Sequence, residues 1–69
     1  MSDELKMGLL RNLMFGDHID DHEHNSEIMQ LYDFGLVELY GDENNFAATN
    51  ENGIIELARL VKLYFVFLN

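Results

Sequence analysis

The stretch from residue 54 to residue 68 constrains the fold most, because its only polar residues are Glu56, Arg59 and Lys62. The apolar residues recur at helical spacing, and the three charged residues share one face of the same helix. This pattern predicts a long C-terminal helix. A β-strand over residues 62–68 is the structural alternative, and it would also favour pairing between chains.

The end of this predicted helix is apolar on every side from Leu63 onward, whereas a helix on a small monomer normally keeps a broad polar face. Soluble monomers rarely expose an apolar patch of that kind. The predicted helix has two apolar stripes, and one N-terminal helix cannot cover both. The main stripe is Ile54, Leu57, Ala58, Val61, Phe65 and Leu68, and the second is Leu60, Leu63 and Phe67. Burying six such side chains at about 1.5–3 kcal/mol each would outweigh a modest association cost. We therefore predict a homodimer, whose interface residues are Leu60, Leu63, Tyr64, Phe67 and Leu68.

The rest of the sequence predicts one small α+β domain over residues 1–69, mostly helical. Leu5, Leu9 and Leu13 repeat at helical spacing ahead of Gly16, which is a typical helix end. The loop GDENN, between two short β-prone segments, is typical of a hairpin. In chain order we predict a helix over about residues 3–15, a short helix over 26–34, strands over 36–40 and 46–49, and the long C-terminal helix. The predicted N-caps are Ser2 or Asp3, then Asn25 or Ser26, then Thr49.

Length and cysteine content bound the class of protein. A chain of 69 residues buries only about 60% of its unfolded surface, so domains of this size often depend on a disulfide, a metal or a partner. The lack of cysteine excludes disulfides and thiolate metal sites. The N-terminus does not have the pattern of a signal peptide, and no apolar run is long enough to span a bilayer, so we predict a cytoplasmic protein.

The placement of charge is the most informative feature for function. Thirteen acidic residues outnumber four basic ones, giving a formal charge of −9, and no Lys or Arg occurs between Arg11 and Arg59. Because Lys and Arg supply phosphate contacts, we expect the middle of the chain to repel DNA, RNA and anionic membranes. We predict instead that an acidic face binds a basic surface on another protein. Its candidate residues are Asp17, Asp20, Asp21, Glu23, Glu27, Asp33, Glu38, Asp42 and Glu43.

One sequence pattern resembles a known family. Leu-x-x-x-Gly-Leu-Val, then a hairpin, then Thr-x-x-x-Gly at the next helix, resembles the second half of a winged helix-turn-helix domain. The residues that carry this resemblance are Leu31, Gly35, Leu36, Val37, Thr49 and Gly53, within residues 26–62. It departs from the family pattern, because the Thr-to-Gly spacing is one residue longer and little room is left for a helix between residues 16 and 26.

The resemblance implies DNA binding through the second predicted helix and the wing tip. The matching positions here are Glu27, Gln30, Asp33, Asp42 and Glu43. Acids at these positions oppose the phosphate contacts that place base-reading side chains. We therefore expect a winged-helix-like scaffold that does not bind nucleic acid directly, and a dimeric winged-helix transcription regulator that binds DNA is the alternative.

Three histidines lie among acids in the segment DHIDDHEH. His18 and His22 are four residues apart, and His24 with nearby Asp residues would complete a zinc or nickel site. The alternative is a solvated acidic loop whose histidines soften its negative charge. A metal-responsive or pH-sensitive switch is therefore a further hypothesis, and no cofactor is predicted.

Catalytic chemistry has little support in the sequence. The chain has no Cys, only Ser2, Ser26 and Thr49 as hydroxyl nucleophiles, and no Gly-rich phosphate loop. We predict a small acidic, non-catalytic interaction protein that binds a basic, nucleic-acid-handling host protein. In type, though not in motif, it resembles the DNA-mimic and host-takeover inhibitors of bacteriophages, including anti-CRISPR proteins, which implies action in the host cytoplasm.

Overall fold

Helices and a small antiparallel sheet alternate along the chain in the computed structural model, which describes residues 1–65. The predicted α+β class is confirmed. The interface candidates Phe67 and Leu68 lie outside the described residues. In order, the elements are α1 (Asp3–Asn12), β1 (Asp17–His18), α2 (Asn25–Asp33), β2 (Val37–Tyr40), β3 (Phe46–Thr49) and α3 (Glu51–Phe65).

The first helix begins where the sequence predicts and ends earlier. The Leu5 amide donates to Ser2 Oγ at 3.1 Å, so Ser2 is the N-cap. The helix ends at Asn12 instead of near residue 15, because β3 recruits the carbonyl groups of the last turn: Thr49 Oγ1 donates to the Leu10 carbonyl at 2.6 Å, and the Thr49 amide donates to the Leu13 carbonyl at 2.8 Å. Two bonds thus fasten β3 to the end of α1.

The sheet has one strand more than the predicted hairpin. Its order is β1-β3-β2, and β1 pairs antiparallel with β3, with His18 opposite Phe46. The hairpin strands β2 and β3 match the prediction within one residue, with Tyr40 opposite Phe46 at the loop end. The two residues of β1 are both exposed, so no apolar alternation announces this strand in the sequence.

A single apolar cluster lies between the helices and the inner face of the sheet. Ile19, the one apolar residue of the histidine segment, is 2% exposed and anchors that segment to the core. The other fully buried members of this core are Leu9, Leu10, Leu13, Ile28, Leu31, Val37 and Ala47. The core thus draws on α1, on α2, on both hairpin strands and on Ile19, which follows β1.

Two predicted N-caps are wrong. Asn50, and not Thr49, caps α3, since the Gly53 amide donates to Asn50 Oδ1 at 2.9 Å while the Thr49 hydroxyl bonds to α1. At α2, His24 occupies the cap position without a side-chain bond, and Asn25 lies inside the helix, donating to the Ile19 carbonyl at 2.8 Å. Ser26 also lies inside α2. Thr49 is thus bonded to a backbone group far away in sequence, and Asn25 to one six residues earlier.

The structure of α3 bears on two predictions, the strand alternative for residues 62–68 and the assignment of Leu60 to a dimer interface. Residues 62–65 are helical, which contradicts the strand alternative for that part of the stretch. Leu60 is fully buried inside the chain, so it is unavailable to a second copy, contrary to the predicted interface. Among the residues the structure describes, no helix is long and apolar enough to cross a membrane.

Candidate protein-binding surface

The entire formal charge of −9 comes from the part of the chain between α1 and α3. Each of these two helices carries two acids and two cations, and so each is formally neutral. The nine remaining acids are the predicted acidic face, which we call the acidic set. All are exposed except Glu27, which is partly buried. The structure therefore separates a neutral pair of helices from an acidic middle segment.

Two of the four Lys and Arg side chains form ion pairs between or within the neutral helices. Lys6 Nζ lies 3.2 Å from Glu56 Oε2, and Arg59 Nε lies 2.6 Å from Glu56 Oε1. The hydrogen bond from Arg59, aided by Lys6, lowers the pKa of Glu56 to about 2, against the opposing effect of burial. Within residues 1–65, no Lys or Arg forms an ion pair with a member of the acidic set. Its negative charge is therefore uncompensated by fixed cations.

The structure brings two parts of the acidic set to one edge of the sheet. The Ile19 amide donates to the Asn45 carbonyl at 2.9 Å, which joins the histidine segment to the hairpin loop. Asp17 and Asp20 flank this junction on one side, and the loop on the other side carries Asp42 and Glu43. Of the remaining acids, Asp21 and Glu23 precede α2, Glu27 and Asp33 lie in α2, and Glu38 lies in β2.

The three histidines do not converge on one metal site. His18 lies in β1 with Nε2 3.6 Å from Asp20, whereas His24 Nδ1 lies 3.4 Å from Glu27 at the start of α2. His22 Nδ1 accepts a hydrogen bond from the His24 amide at 3.0 Å. Among residues 1–65, no group of three or more His, Asp or Glu side chains is placed to hold a metal ion. Each histidine instead borders neighbouring acids or aromatic rings.

An aromatic row crosses the outer face of the sheet, and no sequence pattern predicts the whole of it. His18, Phe46 and Tyr40 stand in register on the three strands. The rings of Tyr40 and Phe46 stack with centroids 5.5 Å apart, and His18 meets Phe46 edge-on at 5.2 Å. We call these three residues the aromatic row. Tyr40 and Phe46 flank the GDENN loop, so a hairpin prediction is enough to place them opposite each other. The position of His18 could not be predicted, because no sequence pattern indicates β1.

A second exposed feature is an apolar stripe on α3. Ile54, Val61 and Phe65 are each between 43% and 47% exposed, and with Ala58 they follow a four-three-four spacing along one helical face. The predicted interface residues Leu63 and Tyr64 are also about half exposed, and the Tyr64 hydroxyl donates to Asp3 Oδ2 at 2.6 Å. The exposed apolar stripe thus differs from the interface that the sequence predicts.

Comparison with known proteins gives no match: no family model, no curated protein and no solved structure is significantly similar to this chain.

Proposed function

We propose that this chain is a small acidic, non-catalytic interaction protein that binds a basic protein whose normal ligand is nucleic acid. The observation that carries the proposal is the acidic set, with nine carboxylates and no Lys or Arg paired to any of them within residues 1–65. An uncompensated field of one sign accelerates encounter with a surface of the opposite sign and discourages wrong partners.

The same field argues against direct binding to DNA or RNA. Nucleic-acid affinity depends on Lys and Arg contacts to phosphates. Lys6 and Arg59 are held by Glu56, and the hairpin loop that corresponds to a wing tip carries Asp42 and Glu43. Binding to a polyanion would therefore require bringing two negative surfaces together.

A winged-helix-like scaffold is a second part of the proposal, and its support is local. Gly35, in the sequence pattern that carries the resemblance, ends α2 with a φ of +77°, which favours glycine. Gly53 packs so closely on the Leu36 carbonyl that a Cβ would collide with it. Such a scaffold, acidic where the family contacts DNA, suits a DNA mimic or an inhibitor of the phage anti-CRISPR type acting in the host cytoplasm.

Self-association through α3 is the third part of the proposal. The stripe of Ile54, Ala58, Val61 and Phe65 is exposed and apolar, and its spacing suits packing against a second helix. Two copies that each carry −9 repel one another wherever the acidic set would meet itself, whereas α3 is formally neutral. A second copy of this chain is therefore the occupant that both the apolar stripe and the local charge fit.

The proposed function is tested by capture followed by competition. The chain is immobilised, host proteins are bound at low salt and eluted by rising salt, and each captured protein is then purified. We expect a stoichiometric complex with a basic nucleic-acid-binding protein, and we expect duplex DNA to compete with the chain for that protein. A captured protein that binds the chain and DNA simultaneously and independently would contradict the DNA-mimic proposal.

A charge-matched pair of variants connects the complex to the acidic set. Asp42→Asn combined with Glu43→Gln removes two charges from the hairpin loop, and both side chains are exposed, so folding is preserved. Glu4→Gln combined with Glu51→Gln removes two exposed charges from the neutral helices α1 and α3 and is the control. We expect the loop variant to weaken the complex and the control to leave it nearly unchanged.

A further inference from the structure

The aromatic row lies on the face of the sheet that is turned away from the core. Val37 and Ala47 are fully buried, and successive strand residues alternate between faces, so Tyr40 and Phe46 point outward. Tyr40 is 45% exposed, and the ring stack leaves aromatic surface open to solvent. A Cβ at Gly16 would collide with the Tyr40 hydroxyl, so the end of the tyrosine side chain packs on Gly16, just ahead of β1. The row is therefore held in place before any partner binds.

One carboxylate contacts this row, and three more lie on neighbouring residues. Asp20 lies 3.6 Å from His18 Nε2, Glu38 lies on the outward face of β2, and the loop between Tyr40 and Phe46 contains Asp42 and Glu43. Glu38 Oε2 accepts a hydrogen bond from Asn50 Nδ2 at 2.7 Å, which fixes one of these acids. Aromatic rings with carboxylates on neighbouring residues of the sheet and loop suit a flat cation.

Arginine matches this combination better than lysine does. The guanidinium group is planar, stacks on aromatic faces and donates in pairs to carboxylates, whereas the ammonium group of lysine acts as a compact, strongly hydrated charge. The outer face of the sheet offers aromatic rings for stacking, and carboxylates on neighbouring residues for hydrogen bonding.

We propose that the aromatic row is the subsite at which arginine side chains of the basic partner dock, stacked on Tyr40 and Phe46 and paired with the acids of the loop. The inference rests on the proposed function and adds the chemistry by which the partner is recognised. Nucleotide bases also stack on aromatic rings, but the phosphates that accompany them would meet Asp42 and Glu43.

The test uses short oligoarginine and oligolysine peptides of equal length, titrated at low salt into the isotope-labelled chain and followed by NMR. Tyr40→Leu removes a ring of the row and keeps an apolar side chain. Tyr32→Leu is the matched control, because Tyr32 is 43% exposed on α2 and lies outside the row. The same titration with a single-stranded oligonucleotide examines the nucleic-acid alternative.

We expect oligoarginine to bind more tightly than oligolysine and to shift the ring resonances of Tyr40 and Phe46. Tyr40→Leu should weaken oligoarginine binding roughly two- to fivefold, the size of one exposed cation–π contact, and should largely remove the preference over oligolysine. Tyr32→Leu should change neither. The wild-type ring shifts decide the matter even if Tyr40→Leu perturbs folding.

Equal affinities for the two peptides, with no shift at the ring resonances, would overturn the arginine subsite and leave the proposed function standing as diffuse charge attraction. Failure of both peptides to bind at low salt would contradict the proposed function itself. Ring shifts caused by the oligonucleotide and not by oligoarginine would overturn both.

Discussion

Lys6 of α1 and Glu56 of α3 form an ion pair of 3.2 Å in which each side chain is only 19% exposed. Fifty residues separate them along the chain, and Arg59 reaches the second oxygen of the same carboxylate. With the bond from Tyr64 to Asp3, this pair fixes α1 on α3. Glu56 therefore binds two of the four Lys and Arg side chains, and neither of these two pairs with the acidic set.

The stability of the chain should depend on the ionisation of Glu56. Its pKa is about 2 in the folded chain and has its ordinary value near 4.5 when unfolded, so the unfolded state binds more protons between these values. The contribution is therefore complete above about pH 5 and is lost as the pH falls towards 2. We expect it to be about 1–2 kcal/mol, less than the full pKa change implies, because solvent screens Arg59.

Glu56→Gln isolates this effect from the other twelve acids. Chemical unfolding of both chains from pH 7 to pH 2 measures the difference. The wild type should be the more stable chain at pH 7, and the difference should shrink on acidification. A difference that does not vary with pH would contradict the assignment.

Two helical glycines should respond to alanine in opposite directions. A Cβ at Gly53 would collide with the Leu36 carbonyl and the Thr49 methyl group, so α3 would have to move from the sheet; we expect Gly53→Ala to cost about 2 kcal/mol. At Gly8, in α1, nothing lies within 4 Å of a Cβ, so Gly8→Ala should stabilise the chain by about 0.5–1 kcal/mol through helix propensity. Thermal and urea unfolding compare them, and equal effects would contradict the close packing at Gly53.

Self-association should depend on Ile54. Added salt should strengthen it, whereas added salt should weaken binding of the basic partner. Ile54→Glu places a charge in the apolar stripe and should give a monomer, whereas Ile55→Glu, on the neighbouring residue about 100° around the helix, should remain dimeric. Salt should strengthen the dimer, because it screens two chains of −9 each. Sedimentation equilibrium measures both effects. A wild-type chain that stays monomeric at high salt and high concentration would exclude this dimer.

Sequence patterns predicted the elements that have strong local signals. The leucine spacing gave α1, the turn-rich loop gave the hairpin, and the apolar stretch after residue 53 gave α3. The N-cap of α3 could not be predicted, because Thr49 and Asn50 are both good caps. The choice between them follows from the Leu10 and Leu13 carbonyls, which draw Thr49 into the sheet from far away in sequence.

The candidate site was predictable where it depends on charge and unpredictable where it depends on register. The nine acids can be read directly from the sequence, since no Lys or Arg interrupts them. The aromatic row needs β1, a two-residue strand without an apolar pattern, to bring His18 beside Phe46. Likewise, the docking of α1 decides which stripe of α3 is buried, and it buries Leu60 and leaves Val61 exposed.

The most direct test of the central claim is an electrophoretic gel shift at low salt with the chain and duplex DNA, alone and with the purified basic partner. We expect the chain by itself to leave the mobility of DNA unchanged and to release DNA from the partner. Retardation of the DNA by the chain alone would contradict the account, because an uncompensated acidic set cannot hold a polyanion.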